Sequence, residues 1–317
     1  MNNRVKKAKA FIPRNPPLDV PAKAYILCSL PRSGTYMFAG IMKDMRLGDP
    51  YEAFNFGANR RYRPYYDVSD YYTLIYRVLE KQTSPETGVF GVKFFWEHLE
   101  RFYRIANEID GVSELNLDIK EMLDLFFGSP YYLYLARRNL LKQAVSLAKA
   151  IQSNHFQTID DSPDTVVERK TSYDANLISQ ALMRILSEAL LWEDFFRRSD
   201  INPHRFWYED LANERENSIR GVLSFLNVYS EKIPEPHTKK LSNRTNDDWY
   251  EHYLEENRWL NTCYIDQLIE TGEYVHLLAR LSFHQSLNVS HKKGTLYVNL
   301  KRLLNSLQWR LGNGSFG

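Results

Sequence analysis

Residues 24–37 read Ala-Tyr-Ile-Leu-Cys-Ser-Leu-Pro-Arg-Ser-Gly-Thr-Tyr-Met, and the fold turns on how they are divided. Ala24 to Leu30 is a short apolar run of the kind that forms a buried strand. Pro31 stops it, and Arg32, Ser33 and Gly34 form a very short loop. From Thr35 to about Arg46, Met37, Ile41, Met42 and Met45 fall on one helical face. A strand, a tight glycine loop and a helix start make an anion site. The first helical N–H groups have no internal partner, and the helix dipole adds partial positive charge. Arg32 puts a cation inside the loop.

A nucleoside-triphosphate P-loop is excluded, because that motif has four residues between its glycines and then Lys before Ser/Thr. Here there is one Gly, and no Lys precedes Thr35. An ordinary strand, turn and helix could carry Arg-Ser-Gly by chance, so a second site matters. Tyr131 to Arg137 is another strand candidate, and Arg138 and Asn139 turn it into a helix from about Leu140 to Ser153, with Asn139 as N-cap. Taken alone, Arg138 could be a capping charge and Ser146 a solvent-facing helix serine.

The remaining segments complete an α/β pattern. Gly48 to Phe54 starts as a turn, followed by a polar-aromatic loop to Asp70 and a helix over 70–82. Gly88 to Phe95 is a buried strand interrupted by Lys93 near its C-terminal end. Ligands of open α/β sheets sit beyond such ends, so Lys93 either points into the crevice of the 31–35 loop or snorkels to water. Helices are expected at 97–109 and 118–127, then a polar loop over 154–172 and a long amphipathic helix from Tyr173 to Arg198. Arg205 to Tyr208 is the fourth strand, closed by Glu209-Asp210-Leu211, with Glu209 read as structural. A helix over 216–226 follows, and 237–258 reads as a loop feeding a helix. Alternating strands and helices predict a P-loop-like, doubly wound parallel sheet flanked by helices.

Composition sets the outer bounds. The 317 residues are enough for a sizeable core, and a formal charge of +2 gives no field directed at nucleic acid. Cys28 and Cys263 make neither a disulfide framework nor a metal cluster, so no metal is expected and Cys28 reads as a core hydrophobe. No apolar run has membrane-spanning length, and Lys6, Lys7 and Lys9 have no apolar stretch behind them, which predicts a cytoplasmic protein. Residues 1–23 are a basic, Pro-rich lead-in, 24–260 the main domain and 261–317 a C-terminal helical extension. In that extension Leu296, Leu300, Leu303, Leu304, Leu307 and Leu311 share a face that could dock on the body, on a partner or peripherally on a membrane.

Pro31-Arg32-Ser33-Gly34-Thr35 after a strand resembles the 5′-phosphosulfate loop of sulfotransferases, which take a sulfuryl group from 3′-phosphoadenosine 5′-phosphosulfate (PAPS). Arg138 to Ser146 resembles their second nucleotide segment, an Arg at a strand end and a Ser eight residues later that both reach the 3′-phosphate. Within sulfotransferases the chain looks like the bacterial trehalose 2-sulfotransferase type. The further landmarks are Gly48 to Phe54, Gly91-Val92-Lys93-Phe94-Phe95-Trp96, Tyr208-Glu209-Asp210-Leu211 and Arg244 to Trp249. The likeness covers residues 24–258 and leaves out the C-terminal stretch.

The resemblance implies PAPS as cosubstrate, and Arg32 with the Ser33, Gly34 and Thr35 backbone as its phosphosulfate site. Arg138 and Ser146 would serve the 3′-phosphate, and Glu52 would be the general base. Lys93 would contact the transferring group or the acceptor. The acceptor would be a sugar or glycolipid hydroxyl, trehalose being one candidate, with the 51–72 and 154–172 loops shaping the choice. Relatives of this type can dimerise, so a homodimer is one implied assembly. Without the resemblance, Glu52 reads as a helix-start carboxylate or a surface charge. Two departures stand out: Tyr36 replaces a Ser or Thr common in relatives, removing a hydroxyl contact, and the Gly-rich C-terminal 3′-phosphate loop of the cytosolic and Golgi enzymes is absent. Lys239, Lys240 or Arg244 could replace that loop, with nothing to choose among them. The alternatives are a P-loop-type kinase or NTPase relative and a non-catalytic glycan-binding protein on the same fold.

Overall fold

The computed structural model describes residues 21–55, 70–154, 156, 170–236 and 244–257, without the side chain of Arg244. Residues 1–20, Lys239, Lys240, Cys263, the 261–317 extension with its leucine face, and most of the 51–72 and 154–172 loops lie outside them.

Three largely apolar runs form the strands β1 (Lys23–Ser29), β2 (Val89–Phe94) and β3 (Tyr131–Ala136), and the short mixed segment His204–Trp207 forms β4. All pair in parallel, in the order β2-β1-β3-β4. The helices are α1 (Thr35–Asp44), α2 (Tyr71–Gln82), α3 (Trp96–Asn107), α4 (Ile119–Phe127), α5 (Leu140–Ser153), α6 (Ala175–Arg198), α7 (Tyr208–Asn213), α8 (Arg215–Leu226) and α9 (Arg244–Glu256). The expected doubly wound sheet flanked by helices is present. β1 is the point where the strand order reverses, so the loop after it opens where ligands of such sheets bind.

Contacts divide the chain into two compact units, Met1–Ala136 with Phe195–Lys239, and Arg137–Asp194 with Lys240–Gly317. The first holds the sheet. Successive strand side chains point to opposite faces. On one face Tyr25, Leu27, Leu133, Leu135 and Phe206 pack with Phe38, Ile41 and Met42 of α1 and with Leu211, Ile219 and Val222 of α7 and α8. On the other, Phe90 and Phe94 join Phe54, Phe102 and Phe127 in a linked set of ring contacts at 5.1–5.8 Å. Lys93 pairs in register with Leu27 and so shares the α1 face.

In the second unit α5 packs on α9. Ile178, Leu182, Ile185, Leu186 and Trp192 of α6 are wholly buried, and the Tyr253 hydroxyl lies 2.6 Å from that of Ser179.

The boundaries differ from the expected ones for local reasons. α1 stops at Asp44, and Arg46 (φ 59°) and Gly48 (φ 87°) then turn the chain in the left-handed region. Tyr208 to Asn213 is a helical turn rather than a strand ending, and Glu209 and Asp210 in its first turn complement the helix dipole. Gly48 and Gly91 permit a close approach: a Cβ on Gly48 would lie 2.7 Å from the Gly91 nitrogen, and one on Gly91 would lie 2.4 Å from Tyr25 Cζ.

Candidate active site

The loop after β1 is set by backbone geometry. Arg32 adopts φ 66° and Gly34 φ 82°, the first uncommon for a residue with a side chain. The Ser33 hydroxyl donates to the Leu30 carbonyl at 2.7 Å and is buried, so it folds the loop. What Ser33 can offer an anion is therefore its backbone N–H. Gly34 is the N-cap of α1, with no capping side chain and no acid in the first turn. The dipole and leading N–H groups of α1 therefore face no protein carboxylate in that turn. The Tyr208 ring lies so close to Gly34 that a Cβ there would sit 2.4 Å from its Cδ2.

Next to this loop, Lys93 and Glu52 form a buried ion pair. The Lys93 side chain is 0% exposed and that of Glu52 is 7% exposed, with Nζ 2.9 Å from Oε1. Lys93 Nζ also donates to Thr35 Oγ1 at 3.3 Å and lies 3.9 Å from the centroid of the Tyr36 ring. Lys93 does not snorkel to water. A lysine near the C-terminal end of β2 on the α1 face is surrounded by protein, and a carboxylate and an aromatic face take the place of water around its ammonium.

Glu52 sits in an irregular turn, neither at a helix start nor on the surface. The turn is fixed from both ends. The Tyr51 carbonyl accepts from Lys93 N–H at 3.3 Å and from Gln82 Nε2 at 3.2 Å, while Phe54 is buried among Phe94 and Phe102. Arg101 donates to the Phe54 carbonyl at 2.8 Å. The carboxylate accepts from Tyr36 Oη at 3.2 Å on Oε1 and from Asn55 Nδ2 at 2.9 Å on Oε2. Burial by itself would push this carboxyl up. The charge on Lys93, then that of His98, and hydrogen bonds from Lys93 and Asn55 outweigh burial and hold it below the usual carboxylate range. His98 is fully buried in α3, its Nε2 3.5 Å from Glu97 and neither ring nitrogen hydrogen-bonded.

Thr35, Glu52 and Lys93 are thus brought together, with Arg32, Ser33 and Gly34 in the adjoining loop. In the second unit Arg138 is exposed just beyond the end of β3, and Ser146 is half-buried on α5. Asn139 caps α5, its side chain accepting from the Lys142 N–H. Lys142 pairs with Asp247 at 3.3 Å and lies 5.1 Å from the Tyr250 ring of α9.

Sequence reasoning missed Tyr36, Asn55 and His98 as neighbours of Glu52. Tyr36 was visible only as a departure from a pattern, and a lone Asn or His carries no signal. Among the described residues no group of three or more His, Cys, Asp or Glu could hold a metal ion, and no helix is long and apolar enough to cross a membrane.

Comparison with known proteins gives one family: the model described as Stf0 sulphotransferase matches residues 24–256. No curated protein matches the chain.

Proposed function

The chain belongs to the Stf0 sulphotransferase family and is a sulfuryl-transfer enzyme, and on that premise we propose that it moves the sulfuryl group of PAPS to a hydroxyl of a carbohydrate or glycolipid, with Glu52 as general base. The observation that carries the proposal is the buried Glu52 carboxylate, 2.9 Å from Lys93 and adjoining the loop that opens α1.

The acceptor oxygen attacks sulfur in line as the bond from sulfur to the donor phosphate breaks. The acceptor proton passes to Glu52, and the electron pair of the broken bond leaves with 3′,5′-bisphosphoadenosine. By analogy with phosphoryl transfer, charge grows on the leaving phosphate and the equatorial oxygens, so cations and N–H donors supply most of the stabilisation. Arg32 and the Ser33, Gly34 and Thr35 backbone are assigned the 5′-phosphosulfate, and Lys93 the sulfuryl oxygens. Arg138 and Ser146 are assigned the 3′-phosphate on the family pattern. A carboxyl held below its usual range is ionised at neutral pH and ready to accept a proton. A sulfuryl group sharing Lys93 would withdraw part of that support and raise the carboxyl toward the proton affinity a base needs.

The test is a titration with 3′,5′-bisphosphoadenosine followed by transfer assays from PAPS to a panel of sugars and glycolipids, trehalose among them. Binding that collapses in Arg138→Ala, with no response to ATP and magnesium, supports the donor assignment. Glu52→Gln should keep that binding and lower kcat by about a hundredfold or more. A Gln variant as active as the wild type would remove Glu52 from the chemistry. Docking of residues 261–317 on a membrane and self-association as a homodimer belong to the same proposal, checked by vesicle sedimentation and by solution mass.

A further inference from the structure

Tyr36 is one of the two points at which the chain departs from the pattern it resembles, and this departure falls on Glu52. Tyr36 is half-buried in the first turn of α1, one residue after Thr35. Its hydroxyl donates to Glu52 Oε1 at 3.2 Å, across sixteen residues of chain. Its ring faces the Lys93 ammonium, 3.9 Å from Nζ to the centroid. One side chain therefore touches both members of the buried pair.

We propose that Tyr36 is a positioning residue for sulfuryl transfer: with Lys93 it holds Oε1 of Glu52, so that Oε2 is the oxygen that takes the acceptor proton. The inference rests on the reading of Glu52 as the base.

The two carboxylate oxygens are not equivalent. Oε1 receives Lys93 Nζ at 2.9 Å and Tyr36 Oη at 3.2 Å, whereas Oε2 receives Asn55 Nδ2 at 2.9 Å. A carboxylate oxygen accepts through two lone pairs, so two donors fill Oε1 and one leaves a lone pair on Oε2. In the transfer step the acceptor O–H bond breaks and its proton goes to that lone pair. The new O–S bond forms as the S–O bond to the donor phosphate breaks, with its electron pair on the departing bisphosphate.

Only a long side chain with a terminal hydroxyl does this from position 36. A Ser or Thr hydroxyl lies one bond beyond Cβ, whereas the tyrosine hydroxyl lies across a whole ring. That ring also gives the fully buried ammonium an aromatic face, which water would otherwise have to replace. The same helical turn that presents N–H groups to the phosphosulfate thus aims the base. The groups facing Glu52 are Lys93 from β2, Tyr36 from α1, His98 from α3 and Asn55 from its own turn.

The experiment compares wild type, Tyr36→Phe, Glu52→Gln and the double variant. Phe keeps the ring under Lys93 and deletes only the hydroxyl, and thermal melting and the affinity for 3′,5′-bisphosphoadenosine check that fold and donor site persist. Carboxyl 13C NMR of glutamate-labelled protein, with the Glu52 signal assigned by its loss in Glu52→Gln, needs no acceptor. Removing a hydrogen bond to the charged form should move the Glu52 midpoint upward by roughly a few tenths of a pH unit. With PAPS and the sugar returned by the acceptor screen, Tyr36→Phe should lower kcat about tenfold and leave the donor KM within about twofold. The double variant should be no slower than Glu52→Gln, because Tyr36 acts through Glu52. An unmoved midpoint, or losses that multiply in the double variant, would overturn the inference. Wild-type transfer by Glu52→Gln would instead overturn the reading of the base beneath it.

Discussion

Two strand-to-helix junctions, one after β1 and one after β3, begin helices in opposite ways. At the first, Gly34 occupies the N-cap of α1 and no side chain caps the helix. At the second, the Asn139 side chain accepts the Lys142 N–H and so consumes one of the leading amides of α5. A helix start left uncapped by the protein keeps its amides for a ligand, whereas a capped one must offer side chains, which under the proposed assignment are Arg138 and Ser146. The first arrangement needs unusual backbone and a buried charge nearby, and the second needs neither. Under the proposed reaction, a phosphosulfate that changes charge suits the first, and a phosphate that is merely held suits the second.

The contrast is tested most severely at Lys93. Lys93→Met removes one partner of a buried pair at the first junction and should destabilise the protein by about 3–5 kcal/mol, read by denaturant unfolding. A loss below about 1 kcal/mol would mean that the pair is no part of what holds this junction. The pH dependence gives the sign. The Glu52 carboxyl lies below its ordinary range when folded, so its contribution is present above the unfolded value of about 4.3 and is lost as pH falls through the folded one. Without Lys93 that contribution is gone at neutral pH, so the gap between variant and wild type should narrow below about pH 4.3.

A smaller effect is expected at Gly34. With φ 82° and the Tyr208 ring 2.4 Å from where a Cβ would stand, Gly34→Ala should destabilise by about 2 kcal/mol. It should also weaken 3′,5′-bisphosphoadenosine binding by at least about tenfold, measured by calorimetry, because the strain falls on the amides assigned to the 5′-phosphate. Unchanged binding would mean that the loop does not hold the nucleotide. The smallest effect belongs to the second junction. Asn139→Ala loses a cap, which is about 1 kcal/mol of stability by thermal unfolding, with nucleotide affinity unchanged within about twofold. A large loss of affinity there would erase the distinction between the two junctions.

The sheet was legible because three of its strands, β1, β2 and β3, are largely apolar runs cut by Pro, Gly or a helix start, and that information is local. Asn139 was legible as a cap for the same reason. Lys93 could be placed on its strand, but its fate could not be read, because the carboxylate that keeps it buried lies forty-one residues earlier in the chain. Glu52 entered through resemblance alone, since nothing in the Gly48 to Phe54 stretch says that Phe54 will anchor the turn against Phe94 and Phe102. Tyr36 read as the loss of a hydroxyl contact. In the fold its hydroxyl reaches a different partner, which only the three-dimensional distance from α1 to the turn reveals. The short helix α7 was missed because six residues give too few turns for a periodicity.

The contact of Tyr25 with Gly91, and of Gly91 with Gly48, has a consequence for inheritance. A Cβ on Gly91 would overlap the Tyr25 ring at 2.4 Å, and one on Gly48 would press on the Gly91 backbone at 2.7 Å. None of the three can drift alone: a larger residue at 91 needs a smaller one at 25, and a side chain at 48 needs the turn to lift away from β2. In a randomised library selected for folded protein, these positions should be recovered as a linked set, with an aromatic at 25 accompanied by glycine at 91. The turn that carries Glu52 would then be passed on together with a pair of residues from the sheet, Tyr25 of β1 and Gly91 of β2.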